Sequence, residues 1–518
     1  MTTERAYHQA RWNEPIILDM GGEGERGILL PEVEKEMLED ITSIKSQIPK
    51  ALRRVTPPDL PQISQVEVYR HYLRLSQENL GAGFVADVGM ATSTMKYNPP
   101  INERLASNPK FTDLHPLQDV STVQGMLEIA YTLGEFLKEI SGMDDISLQP
   151  RAGSQAIYAN MAMIRAYHDK NGQGTQRDEV ITTIFSHPSD AAAPSAAGYK
   201  IITLYPEKNG YPSIESLRSV VSERTAAFFT TNPDDTGIFN PLIKEFNDIV
   251  HAVGGLCAYD QANANGLLGI ARAREAGFDL CHFNLHKTFS TPHASGGPAT
   301  GVSCVTEELA AFLPSPHISF DGDRYYIDED RPESIGKIGQ FYGVAANFIR
   351  AYAWIMAHGA EGLKEVSEIA VLNNNYLMKK VLEIDGITIP YEPGKPRLDQ
   401  IRYSWHELLK DTHLDIVDIA NRSADYGMHF FYSHHPYVVP DPATLEPTES
   451  YSYRDLAKYA DDWRKIATEV KNDPEKILTS PHMAPIHKMS DLTPLSDPEK
   501  WIPSWRVFKK KKRSVHSD

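Results

Sequence analysis

Between residues 146 and 283 the chain repeats one texture: a short apolar run, a loop, a helix-length amphipathic segment, then another apolar run. The runs lie at 146–148, 180–185, 201–204, 226–230, 256–259 and 280–283 and are rich in β-branched and aromatic side chains. A strand that is apolar on both of its faces has to be covered on both sides, and the segments between these runs can supply the covering helices. The pattern therefore predicts an α/β fold built on a large parallel-type sheet, with crossover helices at 154–168, 213–222, 244–253 and 270–276. No repeat of roughly 20 to 50 residues runs through it, which excludes a solenoid or propeller.

Around this block the periodicity is helical. Apolar residues recur at helix spacing over 67–80 and 120–141, and long helices are expected at 338–356 and 362–382. The division expected is an N-terminal arm (1–60, with a helix at 31–48), a large domain (61–337) and a smaller α+β C-terminal domain (338–518) with one clear helix at 453–471. An extended arm of this kind commonly wraps a partner subunit.

Composition narrows the function. The 518 residues carry 52 basic and 69 acidic side chains, a formal charge of −17, which disfavours a nucleic-acid or anionic-membrane partner. The basic run Lys509, Lys510, Lys511, Lys512, Arg513 reads as a solvated tail. Only Cys257, Cys281 and Cys304 occur, in no Cys-x-x-Cys pairing, so no disulfide framework or thiolate zinc site is available. The nineteen histidines, His434-His435 included, never form the two-histidine helix face of a zinc hydrolase, and no metal is expected. Neither a signal peptide nor an apolar run of about 20 residues is present, so the expectation is a soluble, cytoplasmic protein. Gly-x-Ser-x-Gly is absent. Gly22-Glu23-Gly24-Glu25-Arg26-Gly27 has dinucleotide spacing, but its two glutamates would repel a pyrophosphate, and it reads as a loop.

In open parallel sheets, ligands bind beyond the carboxyl ends of the strands. Here those ends are followed in turn by Gly153-Ser154-Gln155, His187, Asn232, Asp260 and Lys287. Gly153-Ser154-Gln155 opens a helix, whose free N–H groups and dipole suit a phosphate, although an ordinary N-cap looks the same. Asp260 ends a hydrophobic run and needs a cation or donor, either an ion pair or a protonated ring nitrogen. His187 reads as a core histidine or as a plate against a flat ring. Lys287 follows an apolar strand directly, which is not surface chemistry. A phosphate site, a strand-end carboxylate and a lysine together fit pyridoxal 5'-phosphate, an aldehyde cofactor that needs all three.

Several stretches are similar to a known family: Thr94-Met95-Lys96-Tyr97-Asn98-Pro99, Leu114-His115-Pro116-Leu117-Gln118, Asn284-Leu285-His286-Lys287-Thr288-Phe289, Glu446-Pro447-Thr448-Glu449 and others spread over nearly the whole chain. The sequence resembles the glycine-decarboxylating P-protein of the glycine cleavage system, most closely its second, C-terminal-half subunit. The resemblance implies an aminotransferase-like pyridoxal-phosphate fold (fold type I). It also implies decarboxylation of an α-amino acid, glycine first, with the aminomethyl group passed to a lipoylated carrier protein. Lys287 would carry the cofactor aldehyde, Asp260 would pair with the pyridine nitrogen, and His187 would stack on the ring. Gly153, Ser154, Gln155, Asn232 and Thr288 would complete the cofactor site, while His286 or His293 would move protons. Arg151, Arg397 and Arg402 are candidates for the substrate carboxylate, with surface ion pairs as the alternative for each. A homologous first subunit and a homo- or hetero-oligomer are expected.

The family's glycine-rich loop has become His293, Ala294, Ser295, Gly296, Gly297, Pro298, Ala299. This keeps a second reading open, a divergent enzyme with the same cofactor acting on another amino acid as decarboxylase, aldolase or aminotransferase. A third reading, a non-catalytic supporting subunit, is disfavoured by the presence of both Lys287 and Asp260.

Overall fold

The computed structural model describes residues 7–28, 30–56, 60–79, 96–293, 299–430, 432, 438–485, 497–498, 501–502 and 504–515. The chain divides into two compact units, one of residues 81–423 and 427–478, the other of residues 1–80, 424–426 and 479–518.

The larger unit is organised by a seven-stranded sheet of β1 (Asp145–Ser147), β2 (Glu179–Thr183), β3 (Lys200–Leu204), β4 (Thr225–Thr231), β5 (Leu256–Asp260), β6 (Leu280–Asn284) and β7 (Gly301–Val305), in the order β1-β7-β6-β5-β4-β2-β3. All six apolar runs become strands. The seventh, β7, is an addition that sequence reading missed, and it lies antiparallel to both β6 and β1. The sheet is therefore mixed rather than wholly parallel. Because only β7 is reversed, the other six strands still point their carboxyl ends the same way, and the residues that follow them share one edge of the sheet.

The strands are buried on both faces because successive side chains enter two different cores. Phe228, Cys257, Tyr259, Cys281 and Phe283 pack with Leu127 and Leu133 of α1 (Gln124–Ser141) and, farther along the chain, with Phe348 and Trp354. Their neighbours Ala227, Phe229, Ala258 and Leu280 face the other way, onto Ile157, Met161 and Ile164 of α2 (Gly153–Lys170). Crossovers include α3 (Ser189–Ala196) after β2 and α4 (Ile243–Ala252) after β4. The crossover helix expected at 270–276 is instead a series of turns.

Beyond the sheet, α5 (Ala345–Val381) contains a break at Gly359, whose φ of 65° belongs to the left-handed region that glycine enters without a Cβ penalty. It thus behaves as the two helices expected from sequence. A two-stranded antiparallel ribbon, Ile401–Ser404 with Pro442–Leu445, follows. Helix α6 (Tyr453–Asn472) begins at a capping box in which Ser452 and Asp455 satisfy each other's backbone N–H.

The smaller unit carries the helices Lys35–Gln47, Gln65–Gln77 and Trp505–Val515. The basic run expected as a tail lies within the last of these, with Phe508 buried on one side and Lys510 exposed. Its charged side chains recur with helix-favouring residues and one apolar stripe, so the segment can pack rather than trail. Among the described residues no helix is long and apolar enough to cross a membrane.

Candidate functional site

The site begins as a row across three strands. In the parallel register Thr231 of β4 lies opposite Asp260 of β5, and Asp260 opposite His282 of β6. Partners in such a register project from the same face. His282 Nε2 lies 3.3 Å from Asp260 Oδ1, both side chains being almost fully buried, and the Ala262 N–H donates to the same oxygen at 2.8 Å. Burial alone would raise the Asp260 pKa. The positive fields of His282, His187 and Lys287, with the Ala262 N–H, outweigh it and hold the carboxyl below its ordinary range. Burial lowers the His282 pKa, opposed by Asp260.

Lys287 sits in the turn that leaves β6, its N–H donating to the Asn284 carbonyl at 3.0 Å, and is 7% exposed. It shares a cleft with His187, Thr231, Asp235, Asp260, Asn263 and Asp399. Three of the residues singled out in the sequence, Lys287, Asp260 and His187, are therefore brought together. The His187 Nδ1 accepts from the Ser189 N–H at 3.1 Å, which leaves the ring proton on Nε2 when the imidazole is neutral.

Ser154 Oγ is 2.9 Å from Ser189 Oγ, so a hydrogen-bonded chain runs from the first turn of α2 to the imidazole. Gly153 packs its Cα against Asn284, and a Cβ there would lie 2.5 Å from Asn284 Nδ2. The other sequence candidates serve the frame. Gln155 accepts from the Arg151 N–H at 2.7 Å and donates to the Ile338 carbonyl at 2.7 Å. Asn232 clasps the backbone of Asn240 through both ends of its amide. Thr288 Oγ1 accepts from the Ala264 N–H at 2.8 Å, pinning the loop that leaves β5.

His286 and His293 meet edge to face with ring centroids 4.4 Å apart, and neither is among the described residues lining the cleft. Burial, then Lys287 and His293, push the His286 pKa down to about 3, so its imidazole is neutral. Its Nδ1 accepts from the Thr300 N–H at 3.3 Å. The loop residues Ala294, Ser295, Gly296, Gly297 and Pro298, with Thr94, Met95 and His434-His435, lie outside the described residues.

The arginine candidates separate clearly. Arg397 and Arg402 are 3% and 1% exposed, so the surface-pair alternative is wrong for both. Arg397 donates to the carbonyls of Pro390 and Tyr391. Arg402 donates through Nε to Thr444 Oγ1 at 3.2 Å and places Nη2 3.8 Å from Asp235, a residue of the cleft. Arg151 donates to the Gln340 carbonyl at 3.2 Å.

Sequence reading missed three residues. His282 could have been found by aligning β5 and β6 at their carboxyl ends. Asp190 lies three residues beyond His187 and accepts from Thr231 Oγ1 at 3.0 Å. Asp399 comes from a segment more than a hundred residues away, with no local signal. Burial raises its pKa to about 6 against the opposing pull of backbone N–H groups, that of Gly266 among them, and of Lys287. Behind the cleft, Glu446 accepts from Asn263 and, at 2.8 Å, from Asn265, while Glu449 pairs with the buried Lys96 at 2.9 Å.

Two other places draw attention and are accounted for by their own contacts. A cavity of about 500 Å³ near β1 is lined by charged groups that already pair, His317 and Arg331 with Asp145 and Lys138 with Glu135. His251, Cys257 and Asp279 could together reach one ion. However, Asp279 Oδ2 is already bonded to His251 at 2.8 Å and to the Cys257 N–H at 2.7 Å, which explains the cluster without a metal.

The fold recurs in solved structures. The chain matches a glycine decarboxylase (P-protein) of the glycine cleavage system in inhibitor-bound form with a TM-score of 0.71 and 20% identity, covering 85% of this chain and 100% of that one. It matches a NifS-like protein with a TM-score of 0.57 and 13% identity over 73% and 98% of the two chains. These likenesses establish the fold as fold type I. Residues 366–483 match the family model described as glycine dehydrogenase, C-terminal domain. Over 517 residues the chain is 40% identical to the probable glycine dehydrogenase (decarboxylating) subunit 2 of Pyrococcus horikoshii, covering 99% of this chain and 100% of that protein. With that identity sustained from end to end, the chain belongs to the family of glycine dehydrogenase (decarboxylating) subunit 2.

Proposed function

We propose that the protein is the glycine-decarboxylating second subunit of a glycine cleavage system, that it works with pyridoxal 5'-phosphate, and that it passes the aminomethyl group to a lipoylated carrier protein beside a homologous first subunit. The observation that carries the reading is the shared cleft of Lys287, Asp260 and His187 in a chain so similar to proteins of that name. The donor set fits the cofactor. A buried carboxylate held ionised calls for a cationic partner, and a lysine amine in the same cleft can take up an aldehyde.

In this reading Lys287 would hold the cofactor through its aldehyde group. Asp260 would pair with the pyridine nitrogen, its carboxylate fixed by the Ala262 N–H with His282 beside it. His187, oriented by the Ser189 N–H, would support the ring. The first turn of α2, with Gly153, Ser154 and the Ser154–Ser189 contact, would hold the phosphate. When bound, the cofactor supplies the electron sink that accepts the pair released as carbon dioxide leaves. Lys287, in the lining of the cleft, would be the amine available to move a proton there. His286, neutral, buried and outside the lining of the cleft, with its Nδ1 accepting from the Thr300 N–H, is a weak base.

The test is carbon dioxide release from carboxyl-labelled glycine by the full chain with pyridoxal phosphate, a first subunit and a lipoylated carrier. Release that depends on the carrier is expected. Protein that takes up the cofactor, shown by its visible absorption, yet releases nothing in any combination would overturn glycine as the substrate.

A further inference from the structure

Beside the strand-end row lies one carboxyl more than a ring nitrogen needs. Asp190, in the first turn of α3, is fully buried. Its Oδ2 accepts from Thr231 Oγ1 at 3.0 Å, and its Oδ1 is buried without an N–H or O–H donor. Thr231, which it binds, stands opposite Asp260 in the register of β4 and β5, so the buried Asp190 carboxyl neighbours that of Asp260. Two neighbouring carboxylates, both almost fully buried, strongly disfavour being ionised together, so the pair favours holding one proton.

The surroundings decide which residue owns it. Asp260 feels His282 at 3.3 Å, His187 and Lys287, and accepts from the Ala262 N–H. The charged groups that weigh most on Asp190 are acidic, Asp260 and Asp235, and its other contact is a neutral hydroxyl. We propose that Asp190 is a positioning residue of the cofactor site: it keeps the single proton of the pair and donates it to Asp260, so that the pair presents one negative charge, on Asp260, to the pyridine nitrogen.

The inference rests on the reading of Asp260 given above. An ionised carboxylate offers roughly four acceptor positions. Ala262, His282 and Asp190 approach it from within the protein, and Asp260 still lines the cleft. Asp190 thereby closes the protein side of the carboxylate and orients what remains toward the ligand. The arrangement also avoids a second buried negative charge, which would compete with the cofactor for the proton on its ring.

The experiment uses the full chain as wild type, Asp190→Asn and Asp190→Ala. Infrared difference spectra of the cofactor-free proteins at neutral pH, wild type minus Asp190→Asn, are expected to contain the carbonyl stretch of a protonated carboxyl. Titration with pyridoxal phosphate is expected to show affinity lowered about tenfold or more in Asp190→Ala, where the donor is lost. Asp190→Asn, which keeps an N–H toward Asp260, is expected to restore it, and the pH midpoint of the cofactor's visible spectrum should move in the alanine variant and return in the asparagine variant. Cofactor uptake by the wild type with no carboxyl band, or equal loss of affinity in both variants, would overturn the proposal. Failure of the wild type to take up pyridoxal phosphate would instead overturn the reading of the site on which it rests.

Discussion

The cleft has two walls of opposite character. On the strand side, Asp260 is held by the Ala262 N–H and His282, Thr231 by Asp190, and His187 by the Ser189 N–H. These partners come from α3, from the turn after β5 and from β6, and among the described residues they leave one buried oxygen on that side, Asp190 Oδ1, without a donor. On the facing wall, contributed by the segment before the ribbon, Asp399 Oδ1 and Gln400 Oε1 are buried and meet no hydrogen-bond donor among the described residues. Buried polar groups are normally paired, and these two open oxygens belong to residues that line the cleft. Among the residues that line the cleft, those on the strand side are thus the more fully paired.

Lys287→Ala tests the strand wall most severely. Loss of decarboxylation on the order of a thousandfold is expected, with the visible absorption of the attached cofactor abolished. Asp260→Asn should follow with about a hundredfold weaker cofactor binding, as removal of one partner from a buried charged cluster costs about 3 kcal/mol. Retention of normal cofactor affinity in that variant would erase the distinction between the walls. Gly153→Ala places a methyl against Asn284, and overpacking of that kind is expected to cost about 1–3 kcal/mol in urea denaturation.

His286 gives a pH signature. Its folded pKa of about 3 lies below the ordinary 6.5, so the unfolded chain binds a proton that the fold refuses. The stability this contributes is intact above 6.5 and is lost as pH falls from there toward 3, by about 1.4 kcal/mol per pH unit. Denaturation of the cofactor-free protein against pH should show a shallower acid-side slope in His286→Gln than in the wild type. The smallest effect expected is that of Asp399→Asn on the facing wall. It should remove an inflection near pH 6 from the glycine KM while leaving the cofactor spectrum in place, because the raised carboxyl titrates there. A changed spectrum would show that the two walls act as one.

Much of this molecule was legible in its residues. The six apolar runs became β1 to β6, and the polar groups after them fell on one edge, because the twofold alternation of strands and the length of the crossovers are local properties written residue by residue. β7 escaped because its short run Gly301–Val305 is interrupted by Gly301 and Ser303 and follows a loop rather than a crossover helix, so that only its place between β1 and β6 marks it as a strand. The turns at 270–276 escaped because helical spacing over so few residues does not nucleate a helix.

By itself, then, the sequence determined the layered α/β architecture, the edge on which chemistry gathers, and the three residues Lys287, Asp260 and His187 that meet there. Only the tertiary structure decided that Gln155, Asn232 and Thr288 spend their side chains on the frame. It alone brought Asp399 to the cleft and His282 and Asp190 to the side of Asp260. The reason is physical: a periodicity reports which face a side chain takes on its own element, whereas charge, burial and protonation depend on neighbours from other elements, and those are chosen by packing.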